Sequence, residues 1–176
     1  MSHDMSYYQI NCNSTARAHI LFYRDMYSME EIEAALQSAL QLLGFKALKE
    51  HQKQVITKFV LGSDVFVNLP TGSGKSLCYW MLPATFNFLR QEEGSFIIVV
   101  SPLVALMKDQ VKGLARVGVS AIATGDVIER STLERIHRGE YQIIFFSPEG
   151  LLQNLEWRDR CTTITYLPRK TSSICD

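Results

Sequence analysis

Residues 69–76 read Leu69-Pro70-Thr71-Gly72-Ser73-Gly74-Lys75-Ser76. Glycines at 72 and 74 let the backbone turn so that successive N–H groups point into one concavity, which suits an anion. Lys75 adds a mobile positive charge directly behind that turn, and the Ser76 hydroxyl adds a hard oxygen ligand. This combination is a phosphate-binding loop: Lys75 reaches the β- and γ-phosphates of a nucleotide and Ser76 binds Mg²⁺. The general pattern opens with glycine, and here that position holds Leu69. A glycine-rich turn that only links a strand to a helix is the plainer alternative. The Lys-Ser pair immediately behind Gly-x-Gly favours phosphate.

Such a loop has to leave a strand and enter a helix. Val65-Phe66-Val67-Asn68-Leu69 reads as a short buried strand, and a helix is predicted from Lys75 to Arg90. Upstream, Ser28 followed by Glu31 is a capping-box signature, with Ile32, Leu36, Ala39, Leu40 and Leu43 at helical spacing and Gly44 at the end. A second helix is predicted over 49–60, with Val55, Ile56 and Phe59 on one face and Gly62 at its end. Downstream, strands at 96–100, 119–123 and 141–146 alternate with helices at 103–117, 130–138 and 149–155. Continuous apolar strands alternating with helices predict an α/β fold, a mainly parallel sheet covered by helices on both faces. Residues 1–27 have no clear period and are expected to form a poorly ordered arm.

Composition narrows the partners. The chain has 176 residues, 47% hydrophobic and 20% charged, which fits one globular domain and excludes a wholly disordered one. Lys plus Arg is 18 and Asp plus Glu is 18, so there is no bulk attraction to nucleic acid, and any such site is a local patch. Within residues 1–43 two basic residues face five acidic ones, a mild asymmetry. Cys12, Cys78, Cys161 and Cys175 form no CxxC pair, and the four histidines are scattered, so no zinc site is expected. The cysteines read as free thiols in a reducing compartment. The longest apolar stretch, Phe96 to Met107, is broken by Ser101-Pro102 and is too short to span a bilayer. No signal peptide is evident, so an intracellular location, nucleus or cytoplasm, is expected without membrane contact.

The loop alone does not choose among kinases, GTPases, ATPases and helicases. The flanking segments resemble the RecQ family of superfamily 2 DNA helicases. Gly44-Phe45-Lys46-Ala47-Leu48-Lys49-Glu50-His51-Gln52 is similar to the family motif that precedes the loop, with Leu48-Lys49 where the family usually has Phe-Arg. Thr71 to Tyr79 is close to its loop and following helix, and Trp80-Met81-Leu82-Pro83 departs from the usual Gln-Leu-Pro. Val99 to Val111, including Ser101-Pro102 and Lys108-Asp109-Gln110, is similar to the second motif. Ile143 to Glu149 resembles the later strand with Ser-Pro-Glu. The resemblance covers roughly residues 40–158.

The resemblance implies an incomplete RecA-like P-loop domain over residues 28–159, with ATP and Mg²⁺ as cofactors. ATP would be held by Gln52, Thr71, Gly72, Ser73, Gly74, Lys75 and Ser76, with Lys75 the catalytic lysine. Gln52 would read the adenine edge, because an amide donates and accepts in one plane. The alternative for Gln52 is a polar residue exposed on an amphipathic helix. DNA, single-stranded or as a forked duplex, would meet Ser101, Pro102, Lys108 and Ser147 at the C-terminal ends of strands. Ser-Pro also suits a helix start, with Ser at the N-cap and Pro following, and both readings stand together at 101–102 and 147–148. Lys46, Lys49, Lys53 and Lys58 read as a solvated helix face, and Tyr79 and Trp80 as core or interface aromatics.

The family unwinds DNA with 3′-to-5′ polarity in recombination and repair, and this needs an Asp-Glu-x-His run on a further strand. The sequence contains no Asp-Glu dipeptide. Asp126 follows a strand, but no Glu comes after it. Residues 160–176 resemble nothing in the family and read as an unrelated tail, as a truncated isoform or a gene-model error would produce. The missing strand would leave an open sheet edge or a hole in the core. A chain of this kind is expected to bind ATP weakly without hydrolysing it or unwinding DNA alone. A small-molecule kinase built on the same loop is the third class, and the sequence shows no Arg-rich lid to support it.

Overall fold

The computed structural model of the chain describes residues 27–125 and 128–153. Residues 1–26 of the expected arm, the segment 160–176 and Asp126 lie outside the described residues, and Tyr27, the last residue of that arm, packs against the core.

Helix α1 spans Met29–Leu42 and starts as the sequence predicts. The Glu31 N–H donates to Ser28 Oγ at 3.1 Å, and the Ser28 N–H donates back to Glu31 Oε2 at 2.7 Å. The helix stops because Gly44 takes a left-handed turn, φ +71°, which frees the Phe45 N–H to reach the Leu40 carbonyl. Its buried face is Ile32, Ala35, Leu36, Ala39 and Leu40. Helix α2, Glu50–Val60, buries Val55, Ile56 and Val60.

The helix behind the loop differs from the expected single span. It is two helices, α3 at Lys75–Trp80 and α4 at Leu82–Arg90, meeting at Met81. Pro83 explains the break: it has no N–H for the carbonyl four residues back, and its ring crowds that carbonyl. α1 packs against α4, and α2 packs against α3.

The remaining elements are β1 Ile97–Val100, α5 Val104–Arg116, β2 Ala121–Ala123, α6 Arg130–His137, β3 Ile143–Phe146 and α7 Pro148–Gln153. The three strands form a parallel sheet in the order β1-β3-β2. In register, Val100 faces Phe146 and Ala123 faces Phe145. Central β3 is buried throughout, and its alternation splits the interior in two. Ile143 and Phe145 join the large cluster of α1–α5. Ile144 and Phe146 join Ile136 of α6 in a smaller cluster, with Leu151 of α7 packed against it. Helices therefore cover both faces of a parallel sheet, as the sequence predicts for a partial RecA-like α/β domain.

One expected strand is not formed. Val65–Leu69 joins no ladder among the described residues. It still alternates, with Phe66 and Asn68 exposed and Val65 and Val67 packed on the core. The side-chain period of a strand is local, whereas its hydrogen bonds must come from a neighbouring strand, and none of the described segments supplies one.

Candidate functional site

The loop between Leu69 and α3 is built by two left-handed glycines. Gly72 has φ +83° and Gly74 has φ +88°, a region costly for any residue with a Cβ. The Ser73 N–H closes the turn onto the Pro70 carbonyl at 3.3 Å, and Gly74 caps α3. Lys75 folds back over this turn. Its Nζ donates to the carbonyls of Leu69 at 2.6 Å and Pro70 at 2.8 Å. Ser73 Oγ is buried with no hydrogen-bond partner. A flexible ammonium parked on carbonyls and an orphaned hydroxyl in a glycine turn are donors that phosphate oxygens would satisfy, so the loop fits a nucleotide triphosphate.

Helix α2 holds the loop from behind. Gln52 is 3% exposed, so it is not a surface residue of an amphipathic helix. Its Oε1 accepts the Lys49 N–H at 2.9 Å, and its Nε2 donates to the Gly74 carbonyl at 2.9 Å. Lys49 Nζ donates to the Ser73 carbonyl at 3.3 Å. Lys49 therefore touches the loop, while Lys53 pairs with Glu33 of α1. The expected solvated lysine face holds only in part. Nothing in residue spacing places Lys49 on a segment 24 positions away.

On α3, Ser76 lies one turn before Tyr79. Tyr79 Oη donates to Gln110 Oε1 of α5 at 2.7 Å, and Trp80 Nε1 donates to the same oxygen at 3.1 Å. Burial pushes the Tyr79 phenol above its ordinary range, partly offset by the Ser76 hydroxyl and the Trp80 indole beside it. The Tyr79 ring meets Phe145 of β3 edge-on, with centroids 6.2 Å apart. The two aromatics are thus core residues with a polar anchor, and the sequence offers no sign of Gln110 as that anchor.

The four candidates for nucleic acid divide. Ser101 and Ser147 follow the paired ends Val100 and Phe146, so the sheet brings them side by side. The Ser101 N–H donates to the Phe146 carbonyl at 3.0 Å. Ser101 and Pro102 do not cap α5: the N-cap is Leu103, and the Leu103 N–H reaches Ser101 Oγ at 3.4 Å. Ser147 does act as a cap, accepting the Gly150 N–H at 3.0 Å, and at 2% exposure its side chain belongs to the interior. Pro102 and Lys108 are exposed, Lys108 on α5. Among the described residues no three His, Cys, Asp or Glu side chains gather as a metal site. No helix of the described residues is long and apolar enough to cross a membrane.

A left-handed glycine loop that opens a helix beside a parallel sheet is shared by several nucleotide-binding families, and comparison with known proteins separates them. The profile of the DEAD/DEAH box helicases matches residues 49–167. The chain belongs to the DEAD/DEAH box helicase family. Within this helicase family it is similar to proteins of the RecQ type. It is 38% identical over 120 residues to the probable ATP-dependent DNA helicase RecS of Bacillus subtilis, covering 65% of this chain and 22% of that protein. It is 36% identical over 114 residues to the ATP-dependent DNA helicase Q-like 2 of Arabidopsis thaliana, covering 61% of this chain and 15% of that one. With the ATP-dependent DNA helicase RecQ of Synechocystis it shares 34% over 136 residues, 75% of this chain and 26% of that one. The chain thus spans about a quarter or less of the length of these relatives, and the RecQ resemblance carried by the motifs is borne out.

Proposed function

We propose that this chain is the nucleotide-binding part of the first RecA-like lobe of a RecQ-type DNA helicase, with residues 28–159 as that part. The observation that carries the reading is the loop: Gly72 and Gly74 left-handed, Lys75 directly behind them, Gln52 bracing them from α2. ATP would place its phosphates over Thr71 to Ser76. Lys75 Nζ would leave the carbonyls of Leu69 and Pro70 for phosphate oxygens, an exchange of neutral acceptors for charged ones. Mg²⁺ would be held by Ser76 with phosphate oxygens and water. Gln52 keeps one amide hydrogen and one lone pair beyond its two protein bonds, which is what an adenine edge requires. The backbone at Ser101-Pro102 and the Lys108 ammonium would meet DNA phosphates, single-stranded or at a fork, and Ser147 would support that edge from within.

A second reading is favoured by one sequence fact. The chain holds no Asp-Glu dipeptide, so a magnesium carboxylate with a neighbouring water-activating Glu is not supplied by these 176 residues. On that basis the chain binds Mg·ATP and DNA without turning ATP over by itself. The location that goes with either reading is intracellular, in nucleus or cytoplasm.

Calorimetric titration of the chain and of Lys75→Ala with Mg·ATP tests the proposal. The wild-type chain should bind, and Lys75→Ala should bind about 10–100-fold more weakly, the loss of charge-assisted hydrogen bonds to phosphate. Equal affinity in the two would overturn it. A phosphate-release assay on the wild type separates the two readings: turnover supports the helicase enzyme, and binding without turnover supports the binding module.

A further inference from the structure

Gln110 ties the helix behind the nucleotide loop to the helix carrying the exposed lysine. Its Oε1 accepts from both Tyr79 Oη at 2.7 Å and Trp80 Nε1 at 3.1 Å, so two adjacent residues of α3 are fixed to one atom of α5. The packing around that atom is close. A Cβ on Gly113, one turn further along α5, would lie 2.9 Å from Trp80 Cη2, so the indole rests on bare backbone. All three polar groups are half-buried, where an unmade hydrogen bond is expensive and a made one is directional. Ser76 stands one turn before Tyr79 on α3, and Lys108 stands two residues before Gln110 on α5.

We propose that Tyr79 and Gln110 are positioning residues that couple nucleotide bound at Ser76 to nucleic-acid phosphate bound at Ser101 and Lys108, by fixing α3 against α5 through the shared Gln110 oxygen. The inference rests on the nucleotide and DNA reading above. Any shift of α3 on nucleotide binding at Ser76 would reach α5 through the bond from Tyr79 to Gln110. Two sites linked in this way exchange a coupling free energy that is the same whichever ligand binds first.

The test is a coupling factor. The full 176-residue chain is titrated with a fluorescent single-stranded oligothymidylate, with and without saturating Mg·AMP-PNP. In the wild type the ratio of the two dissociation constants should differ from 1 by about fivefold or more. Tyr79→Phe keeps the ring against Phe145 and removes only the hydroxyl. It should hold its melting temperature and each separate affinity within about twofold while the ratio falls to near 1. Gln110→Glu keeps an oxygen acceptor at the same place and should retain the wild-type ratio, whereas Gln110→Leu should not. A merely structural role would change melting temperature and leave the ratio alone. A wild-type ratio in Tyr79→Phe, or a ratio of 1 in a wild-type chain that binds both ligands, overturns this inference alone. A wild-type chain that binds neither ligand overturns the functional reading and this inference together.

Discussion

Gln52 Nε2 donates to the Gly74 carbonyl at 2.9 Å, across 22 positions of sequence, and so joins the first turn of α2 to the residue that opens α3. The same side chain accepts the Lys49 N–H at 2.9 Å. One buried amide therefore fixes both the start of its own helix and the shape of the loop.

Removing that amide should cost stability even without nucleotide. Gln52→Ala leaves the Lys49 N–H and the Gly74 carbonyl without these bonds in a nearly sealed place, a loss of about 1–3 kcal/mol. Thermal unfolding of the ligand-free protein checks it. If Gln52 also reads adenine, the ratio of ATP to GTP affinity falls toward 1 in the same variant. An unchanged melting temperature would show that the two bonds do not hold the loop.

The two loop glycines should not be equivalent. Both have positive φ, so alanine at either position costs about 1–2 kcal/mol of backbone strain. Only at Gly74 would the new Cβ meet another group, Gln52 Nε2 at 2.6 Å; at Gly72 nothing lies within 4 Å. Gly74→Ala should thus lower the denaturation midpoint more than Gly72→Ala. Equal shifts would mean that the Gln52 side chain yields without loss.

The centre of the sheet should dominate the stability of the domain. Phe145 is 1% exposed, lies on central β3 and meets Tyr79 edge-on. Phe145→Ala should lose about 3–5 kcal/mol. Phe66, exposed in the segment without a ladder, should change stability by no more than about 0.5 kcal/mol when replaced by alanine. Urea titration of both variants tests the contrast.

Acid should destabilise the fold through exposed carboxylates in a defined window. Glu31 is held below its ordinary value of 4.5 by the Ser28 N–H and hydroxyl. Glu140 is held below the same value by Arg135 and Arg138, and Glu33 by Lys53. A carboxylate with a lowered folded pKa stabilises the fold above its unfolded pKa, and that contribution is lost as pH falls through the folded value. Stability should be level from neutrality to about pH 5 and decline below about 4.5, with added salt flattening the decline. Ser28→Ala keeps the backbone N–H that does most to lower Glu31, so most of the Glu31 share should remain, while loss of the hydroxyl cap costs about 1 kcal/mol at neutral pH. A decline that begins well above pH 5 would point to other groups.

Much of the fold is legible without coordinates because its signals are local. The capping box at Ser28 and Glu31, the stop at Gly44 and the left-handed glycines at 72 and 74 each depend on residues within one turn. The helices follow from a period of 3.6, and the three paired strands from short continuous apolar runs, and a short window contains both. Pro83 was also local: a proline eight residues into an expected helix carries the break between α3 and α4 in its own ring. What needed tertiary structure was pairing across distance. Val65–Leu69 has the alternation of a strand, yet a strand is completed by a neighbour that no local pattern names. Ser101 and Ser147 share the same Ser-Pro sequence, yet only Ser147 caps a helix, because the chain after Pro102 stays extended for one more residue. Gln52 against Gly74, Lys49 against Ser73 and Tyr79 against Gln110 join residues 22, 24 and 31 positions apart. Side-chain type says what such groups can donate or accept, and only the packing of α2, α3 and α5 around the sheet decides which of them meet.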